Sequence, residues 1–367
     1  MPVHIARAIR SPFTRVDGTL AGWHPVDLAA EVMKVARGDH RIDEVFVGCA
    51  EPVGAQGADM ARAAVLAAGW SDLIGGLVID RAETSATAAL HLAAAAIATG
   101  AIDTAMVVGV CSASVVTPGA GALGRTYGRP WGDGPAARVE DDGGLLPGPG
   151  AADRAAVQAG VGRSAQDDWA LAGLERRAMT TAPITPIAAR PGDGVAIQRG
   201  AQIGADDLRP RPDDARALAP SFDPDGTVTG FTFAPPVDGV AVLVLAREPA
   251  AGAEILGSGR SAGHPLDPIG GLQRAVAAAT QGIDRASITR WEITEPTAAS
   301  TLLAIDRLHL DPTQVNRDGG TLAVGDAGAA EELRLLTDAI ARADPGELVL
   351  AAAFGPSGAA ATLVRCP

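Results

Sequence analysis

The hydrophobic pattern of the chain is clearest around one long alanine-rich segment. A short β-branched run over residues 77–79 stops at Asp80, and residues 84–99 then contain no Asp, Glu, Lys or Arg. Such a segment predicts a helix that is buried nearly all round, and Gly100 is a typical helix stop. With the apolar run over residues 105–110, the pattern reads strand, polar corner, buried helix and buried strand. This is the core unit of an α/β fold.

The polar corner at the start of this helix is a candidate site. Free backbone N–H groups and the positive end of the helix dipole favour an anion there. Glu83 occupies the corner. Two interpretations stay open: its carboxylate acts as a base on a bound molecule, or it fills space and caps the helix.

The C-terminal part of the chain repeats this order of predicted elements. Residues 319–324 predict a strand, Asp326 lies in a corner, a helix runs to about Ala343, and residues 348–355 predict another strand. The spacing from corner to following strand end is nearly the same in both copies. A duplicated unit predicts two similar halves packed face to face, with their corners meeting at a pseudo-twofold axis.

Other segments carry weaker patterns. Between residues 117 and 221, proline, glycine and charged residues predict irregular structure with two polar-faced helices. The remaining predicted elements are strands at residues 3–10, 43–48 and 238–246, helices at 60–69, 151–160 and 164–181, and a return to the core at 223–229.

Composition and charge exclude several classes of protein. The 367 residues are 47% hydrophobic and 20% charged, which is ample for a large buried core. A net charge of −13 and only 3% aromatic residues argue against nucleic acid or an anionic membrane surface as a partner. Three scattered cysteines predict neither a disulfide framework nor a metal site. No signal peptide or membrane span is evident, so we expect a cytoplasmic protein.

The alanine-rich segment also resembles a known family. It is similar to the nucleophile segment of the thiolases, which reads roughly Asn-Lys-Val-Cys-Gly-Ser-Gly-Leu before an alanine-rich buried helix. In that alignment the acyl-accepting cysteine of the family falls on Glu83. Further matches cover nearly the whole chain: the opening at residues 10–33, the helix at 60–69, the helix from 164 and the Asp-Gly segments at 223–229 and 238–241.

The resemblance implies a thiolase fold. This is an α/β fold with two similar βαβ-type halves in a five-layer αβαβα arrangement, and with an inserted loop domain that covers CoA in the family. The implied domains are an N-terminal half (1–117 plus 222–250), a loop domain (118–221) and a C-terminal half (251–367).

The resemblance also implies four catalytic positions, and each has lost the group that the family uses there. Glu83 replaces the nucleophilic cysteine, and Asp326 replaces the histidine of a Gly-His-Pro corner. Ala353 replaces the second cysteine, in a Cys-x-Gly turn, and Thr294 replaces the asparagine of an Asn-Glu-Ala-Phe segment. A literal Gly-His-Pro at His264 lies too far ahead of the corner helix, so we interpret it as a turn histidine.

Two further positions are implied to lie near CoA. Ala234 replaces the serine of the family's Asn-x-Ser segment, and Gly355 is the glycine of the Cys-x-Gly turn. No cofactor is expected to be required. A CoA thioester is the possible ligand.

Three functions follow from these observations. The first is a catalytically degenerate thiolase-like protein that binds CoA thioesters, as a homodimer or as a heterodimer with an intact thiolase. The second is a retro-aldol lyase or decarboxylase on CoA thioesters, with Glu83 or Asp326 as the base. The third is an acetyl-CoA acyltransferase of lipid or steroid degradation, and the residues at the four positions argue against it.

Overall fold

The structure is a computed structural model that describes residues 2–123, 132–140, 148–247, 252–264, 266–267 and 269–367. Its strands are β1 (His4–Arg10), β2 (Thr14–Arg15), β3 (Glu44–Gly48), β4 (Gly75–Ile79), β5 (Thr104–Ser112), β6 (Ile187–Ala188), β7 (Gln202–Ile203), β8 (Val237–Ala246), β9 (Ala253–Ser261), β10 (Arg290–Ile293), β11 (Leu348–Gly355) and β12 (Gly358–Arg365).

The helices are of mixed length. They are α1 (Pro25–Arg37), α2 (Met60–Ala67), α3 (Ser85–Thr99), α4 (Ala120–Leu123), α5 (Asp133–Arg138), α6 (Gly148–Ala159), α7 (Arg163–Ala178), α8 (Leu272–Ala279), α9 (Ala298–Leu308), α10 (Thr321–Val324) and α11 (Glu331–Ile340).

Ten of the described strands form one mixed sheet. Its order is β10-β11-β12-β9-β1-β8-β5-β3-β4, and β2 pairs with β8. The two halves join where β1 meets β9 over only two residue pairs, His4 with Glu254 and Ile5 with Ala253. β3 runs parallel to β4 and β5 in the first half, and β10 runs parallel to β11 in the second.

The helices form layers on both sides of this sheet. α3 and α11 lie in the centre, where Leu90 and Leu333 pack in one apolar cluster with Val107 of the first half and Val349 of the second. α1 and α2 cover the outer face of the first half. α8 and α9 cover the outer face of the second. The prediction of an α/β fold with two similar halves is confirmed.

Two glycines let the central helices lie very close to the strands. A Cβ on Gly48 would lie 2.1 Å from the backbone of Ala86, and a Cβ on Gly109 would lie 2.7 Å from the Cα atom of Ala330. Any larger residue would push α3 or α11 away. The starts of both helices are therefore held against strand ends.

The alanine-rich segment forms the predicted helix, α3, and Gly100 ends it with a left-handed backbone (φ 80°). The prediction of burial on nearly all sides holds for most of it. Leu92 is an exception, with 41% of its surface exposed. One strip of α3 therefore faces outward.

The strand predicted at residues 319–324 is wrong. Thr321–Val324 forms the short helix α10, and the strand that pairs parallel with β11 is β10, earlier in the chain. Gly319 turns the chain with φ 80°, and a Cβ on Gly320 would collide with Glu295. A short apolar run does not distinguish a strand from a buried helix. The contacts with surrounding residues determine that this run is helical.

A buried ionic square ties the region of residues 118–221 to the core. Arg10 of β1 and Arg177 of α7 each pair with both Asp206 and Asp338, and all four side chains are at most 5% exposed. The two arginines hold the pKa of Asp206 well below its usual range, against the opposing effect of burial. The limits predicted for the three domains stay a prediction.

Candidate active site

The two central helices begin in the same way. The carboxylate of Asp80 accepts a hydrogen bond from the N–H of Ala82 at 3.0 Å, and that of Asp326 accepts one from Gly328 at 2.7 Å. Ala82 and Gly328 both have a left-handed backbone, with φ 47° and 52°. A single 3-10 turn then leads into each helix. By local geometry Asp326 corresponds to Asp80, and Glu83 lies three residues further along its own corner.

The two corners meet at a cavity of about 300 Å³. Glu83 and Asp326 line it from the two halves, together with Cys111 and Ala234. A second cavity of about 180 Å³ shares Glu83 and Asp326 and extends to Gly355. The structure therefore brings four of the predicted site residues together.

Glu83 lies tightly against the turn between β11 and β12. A Cβ on Gly355 would be 2.7 Å from the Cδ atom of Glu83, so only glycine leaves room for this carboxyl group. Burial raises the pKa of Glu83, and hydrogen bonds that include one from Ser357 lower it in part. The Oε2 atom is buried without a hydrogen-bond partner among the described residues. One oxygen at the site is thus free to accept a hydrogen bond.

Asp326 lines the same cavity from the second half, and its carboxyl group accepts a hydrogen bond from the N–H of Gly328. Burial raises its pKa to about 7, and the nearby carboxylates of Glu331 and Glu83 act in the same direction, while the N–H of Gly328 and the charge of Arg334 oppose them. Two carboxyl groups with raised pKa values, those of Asp326 and Glu83, therefore line one cavity.

Glu331 stabilises the corner that carries Asp326. It accepts hydrogen bonds from Thr321 Oγ1 at 2.8 Å and from the N–H of Ala327 at 3.2 Å, and it pairs with the buried Arg334. Because these contacts come from α10, the corner and α11, the position of Asp326 is set by three elements.

Cys111 was not predicted as part of the site, since a small buried hydrophobe was the expected role. The sequence feature that could have indicated this role is the position of Cys111 at the carboxyl end of the central strand β5, beside the corner of α3. Burial raises the pKa of this thiol well above its ordinary value, and the nearby carboxyl groups, Asp326 first, add to the effect. A thiol that stays protonated is a poor nucleophile.

Two other predicted positions lie outside the residues that line these cavities. Thr294 is buried, and its Oγ1 atom accepts a hydrogen bond from the N–H of Phe354 at 3.4 Å. Ala353 is buried within β11. The neighbouring Glu295 accepts a hydrogen bond from the indole N–H of Trp169 at 2.7 Å, which joins α7 to the second half.

His264 lies in the segment between β9 and α8. Its Nδ1 atom accepts a hydrogen bond from the N–H of Leu266 at 3.3 Å, and it is not among the residues that line the two cavities. Within the described ranges, no group of three or more His, Cys, Asp and Glu residues is placed to hold a metal ion. None of the described helices combines the length and apolar character needed to cross a bilayer.

Residues 3–249 match the family model described as "Thiolase, N-terminal domain". The chain belongs to the thiolase family. Its similarity to curated thiolases runs over most of their length. The beta-ketoadipyl-CoA thiolase of Pseudomonas aeruginosa is 29% identical in an alignment 381 positions long, and the alignment covers 92% of each protein. The acetyl-CoA acetyltransferase of Escherichia coli is 29% identical in an alignment 364 positions long, which covers 90% of each protein.

A solved thiolase shows the fold. The Acat5 thiolase from Ascaris suum, in complex with coenzyme A, superposes with a TM-score of 0.82 over the whole of both chains, at 24% identity. The thiolase fold predicted from the sequence is confirmed by this likeness.

Proposed function

We propose that this thiolase-family chain binds acyl thioesters of CoA in the cavity between Glu83 and Asp326, and that it does not form an acyl-enzyme. One observation carries the proposal: the carboxyl group of Glu83 stands at the start of α3, where the residue lines the cavity, and its Oε2 atom has no hydrogen-bond partner among the described residues. The cavity offers space for an acyl group. The carboxylate replaces the cysteine that would hold that group as a thioester.

The thiol among the described lining residues of this cavity does not replace the lost nucleophile. Cys111 lines the same cavity, but burial raises its pKa and the facing carboxyl groups disfavour the thiolate. Without a thiolate, the first step of the Claisen and thiolysis reactions has no efficient nucleophile.

Two measurements test the proposal together. Calorimetry should show saturable binding of acetoacetyl-CoA, and mass spectrometry after incubation with acetyl-CoA should show no adduct. Thiolysis should be absent, since loss of a nucleophile removes on the order of 10⁴–10⁶ in rate. Turnover well above the blank, or a stable adduct on Cys111, would instead favour the third candidate, an acetyl-CoA acyltransferase of lipid or steroid degradation.

A cavity variant provides the structural control. Ala50 is a half-buried residue of the cavity wall, so Ala50→Trp should weaken binding of acetoacetyl-CoA by about tenfold or more. Val35 lies on α1 with 44% exposure, remote from the site. Val35→Trp should leave binding unchanged. Equal binding by both variants would place the ligand elsewhere.

The second candidate is a lyase acting on β-hydroxyacyl thioesters or on β-oxo acids. The unpartnered Glu83 oxygen beside a carboxyl group of pKa about 7 favours it. In a retro-aldol cleavage Glu83 would take the proton of the β-hydroxyl group as the Cα–Cβ bond breaks. The resulting enolate would take a proton from Asp326, leaving a carbonyl compound and a shorter acyl thioester.

Substitution at Glu83 separates binding from catalysis. If Glu83 is a base, Glu83→Gln should lower turnover by about 10²–10⁴ with little change in melting temperature. If it only caps the helix, the same change should alter stability by about 1 kcal/mol or less and affect no activity. A lyase indifferent to both Glu83→Gln and Asp326→Asn would have its base elsewhere in the cavity.

The proposal includes a dimer in the cytoplasm. β4 is the last strand of the sheet, and its outer edge has no partner strand among the described residues. Leu77 on this strand and Leu92 on α3 are each more than 40% exposed. An open apolar edge favours pairing with another chain, either a second copy or an intact thiolase.

A further inference from the structure

The described side chains that line the two cavities at the candidate site carry charge of a single sign. The described residues that line them include three carboxyl groups, those of Glu51, Glu83 and Asp326, and no lysine, arginine or histidine. Apolar groups such as Phe233 and Val110 form much of the remaining wall. Inside such a wall, screening by water is weak and like charges repel strongly.

Two arginines close to the corners, Arg81 and Arg334, are engaged with other groups. The Arg81 guanidinium donates to the carbonyl oxygens of Ser261 at 2.9 Å and of Ala359 at 3.4 Å. Arg334 lies against Glu331 and Asp338 in the core. Neither side chain is among the residues that line the cavities, so neither is placed to pair with an anion bound there.

The hydrogen-bond donors to Glu51 and Asp326 among the described residues are neutral N–H groups, which do not cancel a negative charge. Glu51 accepts hydrogen bonds from the N–H groups of Gly119 at 2.6 Å and Gly121 at 3.1 Å, so the donors on its carboxyl group are neutral. When Asp326 is protonated the site loses one negative charge but gains no positive one. The starts of α3 and α11 supply only about half a positive charge each.

We infer that the site selects acyl groups by charge: it accepts thioesters whose acyl chain ends in an uncharged group and rejects those whose chain ends in a carboxylate. The inference rests on the proposed binding of acyl thioesters in this cavity. A terminal carboxylate would enter a space walled by three carboxyl groups, with no cation among the described lining residues to pair with. An uncharged chain of the same length meets only the apolar wall.

Two ligands of equal chain length test it. Pentanoyl-CoA and glutaryl-CoA both carry five-carbon acyl groups, and they differ in a terminal methyl group against a carboxylate. By calorimetry at pH 8, glutaryl-CoA should bind at least about tenfold more weakly than pentanoyl-CoA. CoA itself is the reference for the part of the ligand that both share.

Variants that remove the carboxylate charges test whether these charges cause the difference in affinity between the two ligands. The double variant Glu83→Gln with Asp326→Asn should bring the two affinities closer together by about tenfold, while Glu31→Gln, in an exposed ion pair on α1, should leave the gap unchanged. A gap that persists in the double variant would assign the selection to the apolar wall and overturn the inference. Should that variant not fold, Glu51→Gln serves in its place.

The outcomes distinguish the two levels of the argument. Equal binding of both ligands, or tighter binding of glutaryl-CoA, would overturn charge selection while acyl thioester binding stands. Binding of neither ligand would overturn the proposed function, and the inference with it.

Discussion

Asp80 and Asp326 make the same hydrogen bond at the starts of the two central helices, each to the N–H group two residues ahead. The residue that donates is alanine in one half and glycine in the other, although both adopt a left-handed backbone. This difference gives a matched pair of mutations at equivalent positions.

We predict opposite effects on stability from exchanging the two residues. A left-handed backbone costs a non-glycine residue roughly 1–2 kcal/mol, and glycine loses about 0.5–1 kcal/mol in entropy on folding. Ala82→Gly should therefore raise the free energy of unfolding by up to about 1 kcal/mol, and Gly328→Ala should lower it by a similar amount. Urea titration measures both. Equal signs for the two changes would contradict the equivalence of the corners.

A second prediction concerns recovery of the family's chemistry. Glu83→Cys should fold, because a smaller side chain leaves the contact with Gly355 unstrained. It should not restore thiolysis of acetoacetyl-CoA, because Asp326 cannot act as a histidine does and Ala353 cannot move the α-proton.

The assay for this variant is thiolysis together with mass spectrometry of the acetylated chain. A slow acetyl adduct on the new cysteine without turnover is compatible with the prediction. Full thiolysis from this single change would show that the other three positions are wrongly aligned.

A third prediction concerns pH. Glu332 is buried between α11, α3 and β12, where it accepts hydrogen bonds from Thr87 and Thr362, and burial raises its pKa to about 8. In the unfolded chain its pKa is near 4.5. Between these values the folded protein holds a proton that the unfolded chain releases, so stability should fall as pH rises, by up to about 1.4 kcal/mol per pH unit.

The interval from pH 7 to 8 is where Glu332 should contribute most to the slope relative to other groups. Burial raises the pKa values of Asp326 and Glu292 to about 7, so both act in the same direction, and their contribution declines as the pH rises above that value. His91 acts with the opposite sign and at lower pH, since burial lowers its pKa to about 3. Glu332→Gln should flatten the slope between pH 7 and 8 in urea titrations. An unchanged slope would assign it to another group.

A fourth prediction concerns assembly. The chain should form a dimer of roughly twice 36.9 kDa, because an open apolar sheet edge is otherwise prone to aggregation. Leu77→Asp and Leu92→Asp should each shift the mass measured by light scattering toward the monomer. Val35→Asp, at an exposed site on α1, is the control. A monodisperse wild-type monomer would refute the prediction, and a mixed dimer on co-expression with an intact thiolase would favour the heterodimer.

The sequence predicted the first half of the core better than the second. The alanine-rich run of α3 is long, uncharged and ended by Gly100, so its pattern allowed one interpretation. Residues 319–324 are short and apolar, and only tertiary contacts from Glu295 and Glu331 make α10 a helix rather than a strand. The local pattern of hydrophobic and polar residues contains no information about these contacts.

The difference between local pattern and tertiary contact also explains which site residues could be predicted from the sequence and which could not. The corners of Glu83 and Asp326 were visible because each precedes a strongly patterned helix. The role of Gly355 as the surface against which Glu83 packs depends on two segments far apart in the chain. Cys111 entered the site because β5 ends there, which is a property of the sheet rather than of its neighbours in sequence.

The ionic square of Arg10, Arg177, Asp206 and Asp338 bears on how the proposed ligand would reach the cavity. α6 forms part of the wall beside Glu83, and the adjoining α7 carries Arg177 into the square. Swinging this region outward would leave buried charges without partners, at a cost of about 3–5 kcal/mol for each broken pair. We therefore expect α7 to keep its position when a ligand binds. Ligand entry should proceed through the existing opening, with an association rate that is linear in ligand concentration and shows no slow closing step.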